Sequence, residues 1–180
     1  MSGYAEIKKV GFSSDGSCAY VTFEFEDKSE ESLCLLFDVY SEHVRGKFLF
    51  DKSEYSEICK LSETSSAILS GLRSLACSPS TKKEIERKLR AKGYAHYACE
   101  GAISYFTAHG YIKEGELMVS EIKASLRKKH GPVRIRSRLI SRGFPDAMIT
   151  KGMSKLSGYD FESACLELAR KRAENTTGKK

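Results

Sequence analysis

Eight basic side chains and no acidic one fall between Ile122 and Pro145: Lys123, Arg127, Lys128, Lys129, Arg134, Arg136, Arg138 and Arg142. Clustered guanidinium and ammonium groups recognise polyanions and carboxylates, and the planar fork of arginine can pair with either bidentately. A solvated helix face normally mixes signs, so an acid-free run of this length points to binding. Arg134, Arg138 and Arg142 are spaced by four and lie along one face of a helix; they are the first candidates for contact with a partner or with DNA. Arg136 points elsewhere on that helix, and Arg127, Lys128 and Lys129 sit in the junction before it. Arg87 and Lys88, on an earlier helix of the same pattern, complete the candidate set.

Other chemistry finds little support. The sequence has no glycine-rich phosphate loop, no HExxH and no GxSxG elbow, its acids are scattered, and His43, His96, His109 and His130 stand without an evident Ser or Cys partner. No catalytic residue and no cofactor are expected. His96 and Cys99 are three residues apart and can share a helix face, but one pair without a second is not a metal site, so no metal is expected. The six cysteines (Cys18, Cys34, Cys59, Cys77, Cys99, Cys165) are scattered without a CxxC pair, which suits reduced, mostly buried thiols better than a disulfide frame.

The net charge of +6 conceals a division. Residues 1–77 hold 8 Lys and Arg against 13 Asp and Glu, a net of −5; residues 78–180 hold 22 against 11, a net of +11. A polyanion would meet the second half. No stretch approaches the roughly 18 apolar residues of a membrane span, and the opening MSGYAEIKKVGF lacks the apolar core of a secretion signal. A cytoplasmic monomer is expected.

The elements that must carry these residues change character along the chain. AEIKKVGF, CAYVTFEF and ESLCLLF, rich in aromatic and β-branched residues, read as antiparallel strands, with a turn at Ser13–Gly16 joining the first two. Ala19, Val21, Phe23 and Phe25 share one face, a one-sided sheet that needs a cover from a helix near 53–61 or one over 62–76. From Ser62 the apolar period is helical. A helix opens at Thr81 with a capping box to Glu84 and ends at Gly93. Helices over about 96–108 and 114–128 follow, and Pro132 suits the first turn of the next.

Shifting the chain by 50 residues lays that next helix over the one opened at Thr81. Ile85 meets Ile135, Lys88 meets Arg138, Leu89 meets Leu139, Lys92 meets Arg142, Gly93 meets Gly143 and Tyr94 meets Phe144, six of ten positions. Cys99, Ile103 and Phe106 fall over Ile149, Met153 and Leu156. The expected fold is mostly α: tandem three-helix repeats at 78–129 and 130–172 forming an elongated curved array, after a β-rich segment at 1–61 and a connecting helix at 62–77. A last helix covers 160–172, and residues 173–180 form a frayed, disordered tail.

These residues resemble the RecX family, regulators of the recombinase RecA. Thr81 to Gly93 is similar to the family's opening helix, and Arg127 to Phe144 (RKKHGPVRIRSRLISRGF) resembles its signature, with Gly131, Pro132, Arg134, Ile135, Arg136, Leu139 and Gly143 in place. The resemblance covers about residues 62–172. After Gly110, where the family commonly has two acids and soon an aromatic residue, this chain has Lys113, Glu114, Leu117 and Met118, and it carries two units where members often carry a third. The resemblance implies a non-enzymatic regulator that binds the RecA filament on single-stranded DNA and lowers its recombinase, ATPase and coprotease activities, a role in recombination, DNA repair and the bacterial SOS response. Two other readings stand beside it: a basic helical module that binds DNA directly, independent of RecA, and a helical scaffold for another protein. Tyr94, Tyr97 and Tyr111 could stack on bases, but core packing or a half-buried ring is the expected role.

Overall fold

The computed structural model describes residues 4–177. Three strands form where alternation and β-branching place them: β1 (Ala5–Phe12), β2 (Cys18–Phe25) and β3 (Glu30–Leu36). In the first turn the Asp15 carboxylate accepts hydrogen bonds from Ser13 Oγ at 2.6 Å and from the Ser17 backbone N–H at 3.1 Å, while Gly16 takes φ +70°. Two further elements escape periodicity because they are too short to show one: helix α1 (Phe37–His43) and the two-residue strand β4 (Leu49–Phe50). The sheet is antiparallel in the order β3-β2-β1-β4, with a bulge between Ile7 and Lys9.

The cover of this sheet is a single helix, α2 (Lys52–Cys77), not the two separate helices expected at 53–61 and 62–76, so the boundary expected at 61/62 lies inside a helix. Its start is a capping box in which Asp51 accepts from the Ser53 and Glu54 amides and the Glu54 carboxylate accepts from the Asp51 amide. The run SETSS looks like a break because serine competes with helical hydrogen bonding. Here the hydroxyls have partners. Ser62 Oγ donates to the Cys34 carbonyl at 3.0 Å, and Ser65 Oγ donates to the Leu61 carbonyl while accepting the Leu36 N–H at 3.2 Å. Both Cys34 and Leu36 belong to edge strand β3, so the helix satisfies backbone groups that an open edge would offer to another chain.

The described residues fall into two compact units. The first comprises residues up to Ser78 with Ile85–Tyr111. Its sheet core is Ala19, Val21, Phe23, Leu35 and Phe50, with Phe23 set edge-on to Phe50 and Tyr55. Helix α4 (His96–Ala108) packs along α2, where Gly71 meets the buried Phe106 ring and Gly101 meets Thr64. The second unit comprises Pro79–Glu84 and the residues from Ile112 onward. It holds α5 (Glu114–Arg127), α6 (Pro132–Ser141), α7 (Asp146–Ser154) and α8 (Phe161–Thr177), around Met118, Ile122, Ile135, Leu139, Phe144 and Ile149. Helix α3 (Lys82–Ala91) opens in the second unit and continues in the first. Helix α8 runs through Thr177, past the frayed tail expected from 173; residues 178–180 lie outside the described residues.

The 50-residue pattern has a local structural counterpart. Gly93 and Gly143 take φ +91° and +80°, and Tyr94 and Phe144 each return an N–H to the leucine five residues back, Leu89 or Leu139. Left-handed backbone of this kind favours glycine, which explains why it recurs. All six cysteines are free, but only Cys18 and Cys99 are buried, whereas Cys77 and Cys165 are exposed, against the expectation of mostly buried thiols.

A Cβ on Gly71 would stand 2.4 Å from the Phe106 ring. Replacement Gly71→Ala therefore lowers stability by about 1–2 kcal/mol in urea denaturation, overpacking exceeding the gain in helix propensity. Gly115→Ala, with nothing within 4 Å, leaves stability equal or raises it. A gain at Gly71 would show that the ring has room to retreat.

Candidate partner-binding surface

The basic run folds into the end of α5, a tight junction and α6, and the structure sorts its side chains into occupied and free. Arg142, just after α6, is 19% exposed and occupied. Its Nε and Nη2 donate to the two oxygens of Glu84 at 2.8 and 2.9 Å, its Nη1 donates to Glu121 at 2.6 Å, and Nη2 also reaches the Pro79 carbonyl at 3.2 Å. Glu84 is the carboxylate of the Thr81 capping box: it accepts the Thr81 N–H, and Thr81 Oγ1 accepts the Glu84 N–H and donates to the Arg142 carbonyl at 2.6 Å. Pairing with Glu84, and then with Glu121, raises the Arg142 pKa further above its ordinary value.

Arg138 is held less deeply. Its Nε donates to the second oxygen of Glu121 at 2.7 Å, so one glutamate of α5 bridges two turns of α6. Lys129 pairs with Glu167 of α8, and Arg136 stands 3.6 Å from the exposed carboxylate of Asp146. Among the described residues Arg87, Arg127, Lys128 and Arg134 are exposed and have no carboxylate within ion-pair distance. Lys88 is half-buried. Of the three residues that share a four-residue spacing, the structure thus brings Arg138 and Arg142 together on Glu121 and leaves Arg134 in water.

The junction has a feature that spacing does not reveal. Lys129 closes α5 at φ +55°, with its N–H on the Leu126 carbonyl and the His130 N–H on the Ser125 carbonyl. His130 Nδ1 is buried with no hydrogen-bond partner among the described residues. Burial pushes its pKa below the ordinary imidazole value, and Arg134, Lys128 and Arg138 add to the depression. On α5 an open groove of about 780 Å³ sets Lys123 and Arg127 beside Val119 and Leu126.

The remaining candidates have local roles. His96 accepts from Arg90 Nη2 through Nδ1 at 2.8 Å and stands 3.3 Å from Glu100, and among the described residues no three His, Cys, Asp or Glu side chains gather to hold a metal. Tyr94 donates to the Ser66 carbonyl and Tyr97 to Glu63. Tyr111 is 51% exposed and belongs to a stack with Tyr105 and His109. Among the described residues no helix is long and apolar enough to cross a membrane.

Removing Arg142 leaves two largely desolvated carboxylates facing each other, so Arg142→Ala costs about 2–4 kcal/mol in urea denaturation, whereas Arg134→Ala changes stability by less than about 0.5 kcal/mol. Equal effects would overturn the distinction between occupied and free arginines. A depressed pKa at His130 means that the unfolded chain takes up a proton near pH 6.5 while the folded chain stays neutral. Stability accordingly falls as pH drops from about 7 to about 5, and His130→Gln removes part of that fall. Thermal midpoints across this range decide it; an unchanged slope would rule His130 out.

No model of a known protein family matches the chain. Individual proteins do. The regulatory protein RecX of Clostridium perfringens (strain SM101 / Type A) is 25% identical over 134 residues, which span 74% of this chain and 63% of that protein. That of Xanthomonas campestris pv. campestris (strain B100) is 27% identical over 92 residues, 51% of this chain and 56% of the relative. That of Vibrio vulnificus (strain CMCP6) is 31% identical over 81 residues, 45% and 53% respectively. The chain therefore spans less than two thirds of the length of these curated relatives. A crystal structure of regulatory protein RecX shares the fold with a TM-score of 0.76 at 16% identity, covering 98% of this chain and 86% of the other. RecX from Lactobacillus salivarius gives 0.57 at 19% identity over 66% and 77%. The first match is long enough to include the N-terminal strands, so the sheet belongs to the shared fold. In sequence the chain is thus similar to RecX regulatory proteins, and it shares the fold of their solved structures.

Proposed function

We propose that this protein is a non-enzymatic regulator of the RecA recombinase, binding the RecA filament on single-stranded DNA and lowering its recombinase, ATPase and coprotease activities. The observation that carries this reading is the set of unpaired cations around the α5–α6 junction, Arg127, Lys128 and Arg134, with Arg136 loosely held beside them. Guanidinium groups that no internal carboxylate claims can accept one from a partner, and a net positive half is drawn to a protein-coated polyanion over long range. Arg138 has one donor group on Glu121 and can keep that pairing while its other nitrogens face outward. Arg142 and Lys129 hold the frame, and Arg87 and Lys88 extend the basic character along α3.

The same cations favour a second reading, direct binding to DNA phosphates. Salt separates the two. Binding through four phosphate contacts falls with a log–log slope of about −3 to −4 against salt concentration, and a specific protein contact leaves affinity that survives.

The purified protein should lower RecA-dependent ATP hydrolysis on single-stranded DNA, and the combined replacement of Arg127, Lys128, Arg134 and Arg136 by Ala should weaken that effect by about tenfold or more. Unchanged hydrolysis with the unaltered protein would overturn the regulatory reading.

A further inference from the structure

The two matching helices differ where they face water. With the chain shifted by 50 residues, Lys83 and Arg90 of α3 correspond to Val133 and Ile140 of α6. Val133 is 80% exposed and Ile140 52% exposed. Seven residues apart, they stand two turns and roughly 10 Å from each other along one side of the helix. That side is opposite Ile135 and Leu139, which are 1% exposed and face the core. Ser137 lies between the two aliphatic residues, with Arg136 to one side of them and Arg134 to the other.

Among the described residues neither belongs to the core of this unit. A β-branched residue is a poorer helix former than lysine or arginine, so neither residue is there for helix stability. The same positions on α3 carry exposed cations with internal contacts: the Lys83 stem lies against Gly143, and Arg90 pairs with Glu86 at 3.2 Å. A phosphate backbone offers no apolar surface to meet Val133 and Ile140, whereas a protein surface can offer one and supply carboxylates to the flanking arginines as well.

Resting on the reading that this basic helix meets a partner, we propose that the α6 face of Val133, Arg134, Arg136, Ser137 and Ile140 docks on a protein surface of aliphatic side chains bordered by carboxylates. Its occupant is the recombinase subunit rather than the nucleic acid that the filament encloses. Burial of two aliphatic side chains supplies affinity, and Arg134 and Arg136 set register against the bordering acids.

The decisive variant gives α6 the outer residues of α3, Val133→Lys with Ile140→Arg. Both sites are exposed, so folding is retained, and urea denaturation checks it. The two added positive charges strengthen any phosphate contact and disrupt an apolar one, so the two kinds of partner respond in opposite directions. Binding is read by fluorescence anisotropy on one labelled oligothymidylate, bare or coated with RecA, at about 50 and 200 mM salt. The expected result is affinity for the coated strand reduced by about tenfold or more, with affinity for the bare strand equal or higher. Val133→Ala with Ile140→Ala, which changes no charge, should also weaken binding to the coated strand by several-fold.

Equal or tighter binding of the charged variant to the coated strand overturns this inference and leaves the regulatory reading standing. Failure of the unaltered protein to bind the coated strand overturns both. A dimer of the unaltered protein in sedimentation, abolished in the charged variant, would assign the face to a second copy of this chain and likewise overturn the inference.

Discussion

One guanidinium holds the second unit together. Arg142 joins Glu84, at the start of α3, to Glu121, in the middle of α5, from its own position at the end of α6. The two carboxylates are each 16% exposed, so neither could be left without a cation at low cost. The geometry closes on itself: the Arg142 side chain satisfies the capping carboxylate, and the hydroxyl of the same capping box satisfies the Arg142 backbone carbonyl. Every group in the cycle has a partner, which is the condition under which a desolvated ionic network specifies a structure instead of weakening it.

This network changes the meaning of the basic run. A count of charges treats eight cations as one surface, but each pairing removes a side chain from the pool that can meet a partner. Arg142 is withdrawn fully, Lys129 and Arg138 partly, and the free positive charge gathers at Lys123, Arg127, Lys128 and Arg134, with Arg136 loosely held by Asp146. His130, whose pKa is lowered first by burial and then by Arg134, Lys128 and Arg138, sits amid this remnant.

Much of the fold is legible in the sequence because its signals are local. The three longer strands, the Thr81 box, Pro132 and the two positive-φ glycines each follow from chemistry within a few residues. The features that are not legible depend on distant partners. Ser62 and Ser65 read as a helix break until β3 supplies a carbonyl and an amide for their hydroxyls. The role of Arg142 depends on Glu84, 58 residues away, and spacing by four cannot distinguish an arginine facing water from one facing a carboxylate. Asp51 and Glu54 form a capping box that the sequence does carry, and it marks the true start of α2.

The internal repeat then separates frame from surface. Lys92 and Arg142 match in the sequence, and both have partners within the protein: Lys92, though exposed, donates from Nζ to Ser70 Oγ at 2.7 Å, and the half-buried Arg142 donates to its glutamates. This shared basic position thus has a structural part, as the shared Ile, Leu and Gly positions do. The residues of α6 without a like counterpart are different: Arg134 and Arg136 stand over Glu84 and Glu86, and Val133 and Ile140 over Lys83 and Arg90. On α3 these positions serve the frame: Glu84 caps the helix and holds Arg142, Glu86 pairs with Arg90, and the Lys83 stem lies against Gly143, whereas Val133, Arg134 and Ile140 on α6 are exposed. The divergent positions are where the second unit has a surface chemistry of its own, and they coincide with the exposed side of α6.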